Sequence, residues 1–134
     1  MVQYCYAFNT IALRMCVTMV DSTIIATVRR YLQRLNETGV PVSFGVLFGS
    51  QVTGNVHEWS DIDVLVVSPL FDDRRTIETV GRLWRAAYAT DNRIEPIACG
   101  LRQWKEDDYT PIYEIAREEG IIITPEESLT CVHP

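Results

Sequence analysis

The sequence has 134 residues, 47% of them hydrophobic and 22% charged, with a formal net charge of −6 at neutral pH. That length suits one domain, and that apolar fraction can bury a core without a metal or disulfide staple. The acidic balance argues against a protein that coats nucleic acid by neutralising phosphates, but it leaves room for a local nucleotide site.

Residues 1–20, MVQYCYAFNTIALRMCVTMV, carry no capping signal and no clean period, and Arg14 interrupts their apolar run. They read as an N-terminal extension that the domain can lose; an extra strand or helix packed on the domain is the alternative. They lack the basic leader of a secretory signal, and no segment reaches the roughly 18 uninterrupted apolar residues of a membrane span. The domain is expected over residues 21–124. Asp21 or Ser22 can cap a helix whose apolar stripe is Ile24, Ile25, Val28, Leu32 and Leu35, with Gly39 and Pro41 as terminators. VSFGVLF (42–48) is predicted as a buried strand, and a short helix follows from Ser50 to about Val56. DIDVLVV (61–67) is a second strand, rich in β-branched residues.

SPLFDDRR is expected as a loop. A long helix is predicted over residues 76–90, with Ile77, Val80, Leu83, Trp84, Ala87 and Tyr88 on its buried side. RIEPIA (93–98) is a third strand, and Pro96 assigns it to an edge or a strand end. A polar loop leads to a helix over 111–119 that Gly120 stops, then to a last strand, IIIT (121–124). Residues 125–134 read as a loose tail. Strands alternating with helices predict the α/β class, a mixed sheet with flanking helices. Cys5, Cys16, Cys99 and Cys131 form no CxxC pair, and His57 and His133 complete no zinc pattern. Four reduced thiols and a cytoplasmic location are therefore expected.

The informative stretch is LFGSQVTGNVHEWSDIDVLVV (47–67). Residues i and i+2 of a strand face the same way, so Asp61 and Asp63 share one side while Ile62, Val64 and Val66 share the other. Two neighbouring carboxylates raise each other's cost of ionisation, and Mg²⁺ is a natural compensating partner because it takes carboxylate oxygens together with substrate phosphates. Gly49-Ser50 ends one strand and can open a helix, where the glycine backbone, the free N–H groups and the Ser50 hydroxyl suit a polyphosphate. Glu95 lies on the third strand, which a βαβ crossover can bring beside the aspartates. Two carboxylates for a metal and a third for a proton make a nucleotidyl-transfer site.

The same residues resemble a known family. GSQVTGNVHEWSDIDVLVV is similar to the G-S-x(3)-G-x(5)-S-D-x-D pattern of the minimal nucleotidyltransferases, small members of the DNA polymerase β-like superfamily. Gly49, Ser50, Gly54, Ser60, Asp61 and Asp63 fall at the pattern's positions. RIEPIACG resembles the strand bearing the family's third carboxylate, and TPIYEIAREEGIIIT its closing helix and strand. The resemblance implies the nucleotidyltransferase fold and Mg²⁺-dependent transfer of a nucleoside monophosphate, usually from ATP, to a hydroxyl acceptor. It further implies Asp61 and Asp63 as metal ligands, Glu95 as the third catalytic carboxylate, and Gly49 and Ser50 as nucleotide-binding residues. Members often act as antitoxins beside a HEPN-domain toxin. Gln51 and Thr53 stand where many members carry arginine, and Glu95 stands where aspartate is common.

Simpler readings exist for each feature. Two aspartates can cap a solvated strand end, a Gly-Ser can be an ordinary turn, and Glu95 can pair with Arg93 on an edge strand. Coincidence of all three at the family spacing favours the enzyme. A binding module that neutralises a toxin by contact is the alternative, and it is favoured by the small size and the missing arginines. His57 and Glu58 read as exposed, Trp59 and Trp84 as packing residues, and Arg29, Arg30, Arg34, Arg74, Arg75, Arg82 and Arg85 as solvated helix faces. Homo-oligomerisation is compatible with the sequence, and no membrane partner is expected.

Overall fold

A computed structural model describes residues 20–54, 56–57 and 60–126. Residues 1–19 of the expected extension and most of the tail (125–134) lie outside the described residues, as do Asn55, Glu58 and Trp59; Val20, placed in the extension by its sequence, is buried in the core.

Helix α1 (Ser22–Glu37) begins where the Asp21 side chain accepts the Thr23 N–H at 2.9 Å, the capping bond its sequence anticipates. Its stripe, Ile24, Val28, Tyr31, Leu32 and Leu35, is buried. Strand β1 (Phe44–Phe48) leads through Gly49 into a single helical turn, α2 (Ser50–Thr53), and strand β2 (Ile62–Ser68) follows. Two further elements stand where loops were expected. SPLFDDRR contains the helical turn α3 (Leu70–Asp73), and α5 (Leu101–Glu106) fills the polar stretch after the third strand. The Asp72 carboxylate accepts the Arg102 N–H at 3.1 Å, so these two short helices hold each other. Between them run α4 (Ile77–Thr90) and β3 (Ile94–Gly100), and α6 (Pro111–Glu119) and β4 (Ile121–Ile123) close the domain.

The four strands form one mixed sheet in the order β3-β2-β1-β4. β1 pairs antiparallel with both β2 and β4, while β2 and β3 run parallel. Strand β3 is at an edge, as Pro96 requires. Alternation along β2 separates two cores. Ile62, Val64 and Val66 pack against α1 and α4, whereas Leu65 and Val67 pack with Val46, Phe48 and Cys99 against Trp104 of α5 and Tyr113 and Ala116 of α6. The result is helix, sheet, helix, with two apolar layers. Among the described residues no helix is long and apolar enough to cross a membrane.

Helix α4 buries only part of the side expected of it: Leu83 and Ala87 are in the core and Val80 is half-buried. Its core face is Thr79, Leu83, Ala86 and Ala87, while Ile77, Trp84 and Tyr88 are 93%, 48% and 79% exposed. The apolar residues of the predicted side are split between the core face and the face turned away from the sheet. Small residues face inward because α1 lies alongside, and the buried Tyr31 hydroxyl reaches across to the Leu83 carbonyl at 3.0 Å.

Cys99 is buried and free, and burial pushes its thiol up to about 12, which makes it inert at neutral pH. Removing the Tyr31 hydroxyl in Tyr31→Phe should cost about 1 kcal/mol, read as a lower urea midpoint at unchanged slope.

Candidate active site

Gly49 adopts φ 81° and ψ −151°, a region that residues with a Cβ avoid. The reason lies across the ladder. Phe48 is paired with Asp63, so the turn after β1 passes directly over the Asp63 side chain, and a Cβ on Gly49 would overlap that carboxylate. Only glycine allows the backbone and the carboxylate this closeness. Gly54 ends α2 with φ 90°, a left-handed cap whose N–H bonds to the Ser50 carbonyl at 3.1 Å.

The chain then turns back into β2 through Ser60, whose hydroxyl accepts the His57 N–H at 2.8 Å while its own N–H bonds to the His57 carbonyl at 2.9 Å. The Gln51 side chain, 3% exposed, donates to the Asp61 carbonyl at 3.2 Å. Gln51 thus ties α2 to the start of the acidic strand. Sequence reasoning treated this residue only as a missing arginine; a polar side chain one position after the Gly-Ser gave no sign of which way it would point.

Glu95 arrives from β3, which pairs Asp63 with Glu95 and Ile62 with Ile94, and the Ile62 N–H donates to the Arg93 carbonyl at 2.9 Å. Residues in register share a side of the sheet, so Asp63 and Glu95 lie on one face; Asp61, expected in the strand, stands one residue before β2 begins, close enough for its charge to act on both. The three carboxylates therefore lie at the same end of the sheet, and the Gly49 turn packs on Asp63 there. The simpler pairing of Glu95 with Arg93 does not occur. Arg93 is held by Asp91, 2.8 Å away, which keeps the Asp91 carboxyl below its usual range.

The electrostatics follow from this placement. Burial, reinforced by the Asp61 charge, raises the Asp63 carboxyl above its usual value. Glu95 is also raised, first by desolvation, then by the charge of Asp61 and a hydrogen bond with it, then by Asp63. Among the described residues the ion pairs are Arg82 with Glu78 and Arg93 with Asp91, so no arginine or lysine neutralises these acids. The donor set is oxygen only and excess in charge, which fits a hard divalent cation. No three His, Cys, Asp or Glu side chains converge as a ready ligand cluster among the described residues. Two carboxylates are enough for Mg²⁺, which commonly takes one or two from protein and leaves its other positions to water and phosphate. The polar hollow lined by Phe71, Asp72, Arg75, Arg102, Gln103 and Tyr109 is a separate feature, gathered around α3 and α5 beyond the far ends of β2 and β3.

Two predictions follow from this geometry. Gly49→Ala should destabilise the protein by about 1–3 kcal/mol, and part of that loss should vanish in an Asp63→Ala background, because the overlapping atoms are then gone; a double-mutant cycle in urea measures the coupling. Asp63→Asn should raise the melting temperature at neutral pH in chelator-treated buffer. An acid whose folded pKa is raised penalises the folded state only when ionised, so the gain should fade as pH falls towards the ordinary value of 3.8.

No curated protein matches the sequence. The family whose pattern does match is the nucleotidyltransferase domain, over residues 25–128, a span that includes most of α1, the Gly49-Ser50 turn, all three carboxylates and β4. The chain belongs to the nucleotidyltransferase domain family, and general nucleotidyl transfer is the chemistry of that family.

Proposed function

We propose that this protein is a Mg²⁺-dependent enzyme that moves a nucleoside monophosphate, AMP from ATP, to a hydroxyl acceptor. The observation that carries the reading is the packing of the Gly49 turn against Asp63, in register with Glu95. The Gly49-Ser50 backbone and the Ser50 hydroxyl bind the triphosphate, because the first N–H groups of a helical turn have no partner within it. Asp61 and Asp63 would hold the metal, which when bound supplies charge neutralisation for the phosphates. Glu95 accepts the proton of the acceptor hydroxyl; its raised pKa suits a general base better than an ordinary carboxylate does. The acceptor oxygen bonds to the α-phosphorus in line with the bridge to the β-phosphate, that bridge breaks, and pyrophosphate leaves. Positioning and charge carry the catalysis.

A second reading rests on Gln51. Its side chain is committed to the Asp61 carbonyl and does not replace an arginine as a phosphate ligand. That favours a module that neutralises a HEPN-like toxin by contact with little turnover.

One assay separates the two. The protein is incubated with ATP labelled at the α-phosphate, Mg²⁺ and a HEPN-domain partner. Label on the partner together with released pyrophosphate supports the enzyme, and protection from toxicity without label supports the contact module. In the enzyme, Asp63→Asn should lower transfer by on the order of 10²–10³-fold while the protein stays folded. Pyrophosphate release at the parental rate in that variant would remove Asp63 from the chemistry.

A further inference from the structure

Helix α4 carries a second apolar face that no part of the described domain covers. Ile77, Gly81, Trp84 and Tyr88 follow one another at intervals of four, three and four residues, which is one side of a helix. Ile77 is 93% exposed and Tyr88 79% exposed, so the largest side chains of this helix point to solvent while its small ones face the core. A contiguous exposed apolar stripe of this kind marks an interaction surface. Gly81 interrupts it with a notch. A Cβ there would meet only the end of the flexible Arg85 side chain, at 3.3 Å, so nothing within the domain requires glycine at this point of the helix.

We infer that α4 is the interface of a two-fold dimer, with two copies of the helix packed antiparallel about an axis between Arg82 and Leu83. The stripe is self-complementary in that arrangement. Trp84 lies over the partner's Gly81, Ile77 lies against the partner's Tyr88, and the symmetry repeats both contacts. The charges agree with the shape. Glu78, which pairs with Arg82 of its own helix at 3.3 Å but remains 69% exposed, and Arg85 occupy the same flank of the stripe, so the Arg85 guanidinium of one copy adds a second partner to the other copy's Glu78. Parallel packing would instead set Trp84 against Trp84, and would leave both notches empty. One helix of 14 residues spans about 21 Å. It buries less than the roughly 800 Å² per partner of a standard interface, so a weak dimer with Kd on the order of 10 µM is expected.

The test is sedimentation velocity on the full chain from about 1 µM to about 500 µM, a range that brackets such a Kd. The mass should rise from one chain to two. Trp84→Glu should keep it at one chain at every concentration, with its far-ultraviolet dichroism and melting temperature showing an intact fold. Gly81→Ala should weaken association about tenfold while raising the melting temperature of the dilute monomer, two opposite effects that a merely structural role for the glycine would not produce. Glu78→Arg and Arg85→Glu should each weaken the dimer, and the double exchange should restore it. A single-chain mass at the highest concentration overturns the proposal, as does a dimer that survives Trp84→Glu or Gly81→Ala. Failure here leaves the nucleotidyltransferase reading intact, because α4 carries none of Asp61, Asp63 and Glu95.

Discussion

The site depends on one close approach, that of the Gly49 backbone to the Asp63 carboxylate across the antiparallel β1–β2 ladder. It joins the turn that follows the first strand to the acid that opens the second. It exists because Phe48 and Asp63 are register partners and because residue 49 has no Cβ. A shift of register by one residue would turn Asp63 into the apolar layer under α1 and α4, and would bring Ile62 or Val64 under the turn. The register is enforced by the two hydrophobic layers, each of which claims alternate residues of β2.

That enforcement keeps like charges together. Beyond burial, the Asp61 charge raises the cost of ionising Asp63 and Glu95, Asp63 adds to that of Glu95, and the three have no basic partner among the described residues. A chain selected only for stability would separate or neutralise them. The packed sheet holds them in place, and the unbalanced negative charge at the strand ends is what a cation and a polyphosphate together can satisfy. The edge position of β3 matters equally. It leaves Glu95 exposed beside Asp63, on the side from which an acceptor can arrive. Gln51 and Ser60 contribute by fixing the entry to β2 rather than by presenting groups to a ligand.

Helix α4 shows how one element can serve two surfaces. Its inner face is made of alanine, threonine and a single leucine, which lets it lie close to α1 and to the sheet. Its outer face carries the bulk. Apolar residues on both faces share one period, so the sequence merges Ile77, Trp84 and Tyr88 with Leu83 and Ala87 into a single buried side.

Much of the site was legible before any fold was known. The spacing from Gly49-Ser50 to Ser60-Asp61-x-Asp63 requires a strand, a turn and a strand, and strand alternation puts both aspartates on one side. The long helices were equally plain, since capping residues and apolar periods are local signals. The short helices α3 and α5 were not, because each is held chiefly by a partner distant in sequence, Asp72 against the Arg102 N–H. The residues themselves determined which groups could do chemistry and which strand faces they share. Only the tertiary structure decided that Glu95 stands beside Asp63, that Arg93 turns to Asp91, that Gln51 is buried, and which side of α4 meets the core. Those four outcomes are pairings between elements, and a pairing is set by register and packing across the sheet, which no local pattern of residue types encodes.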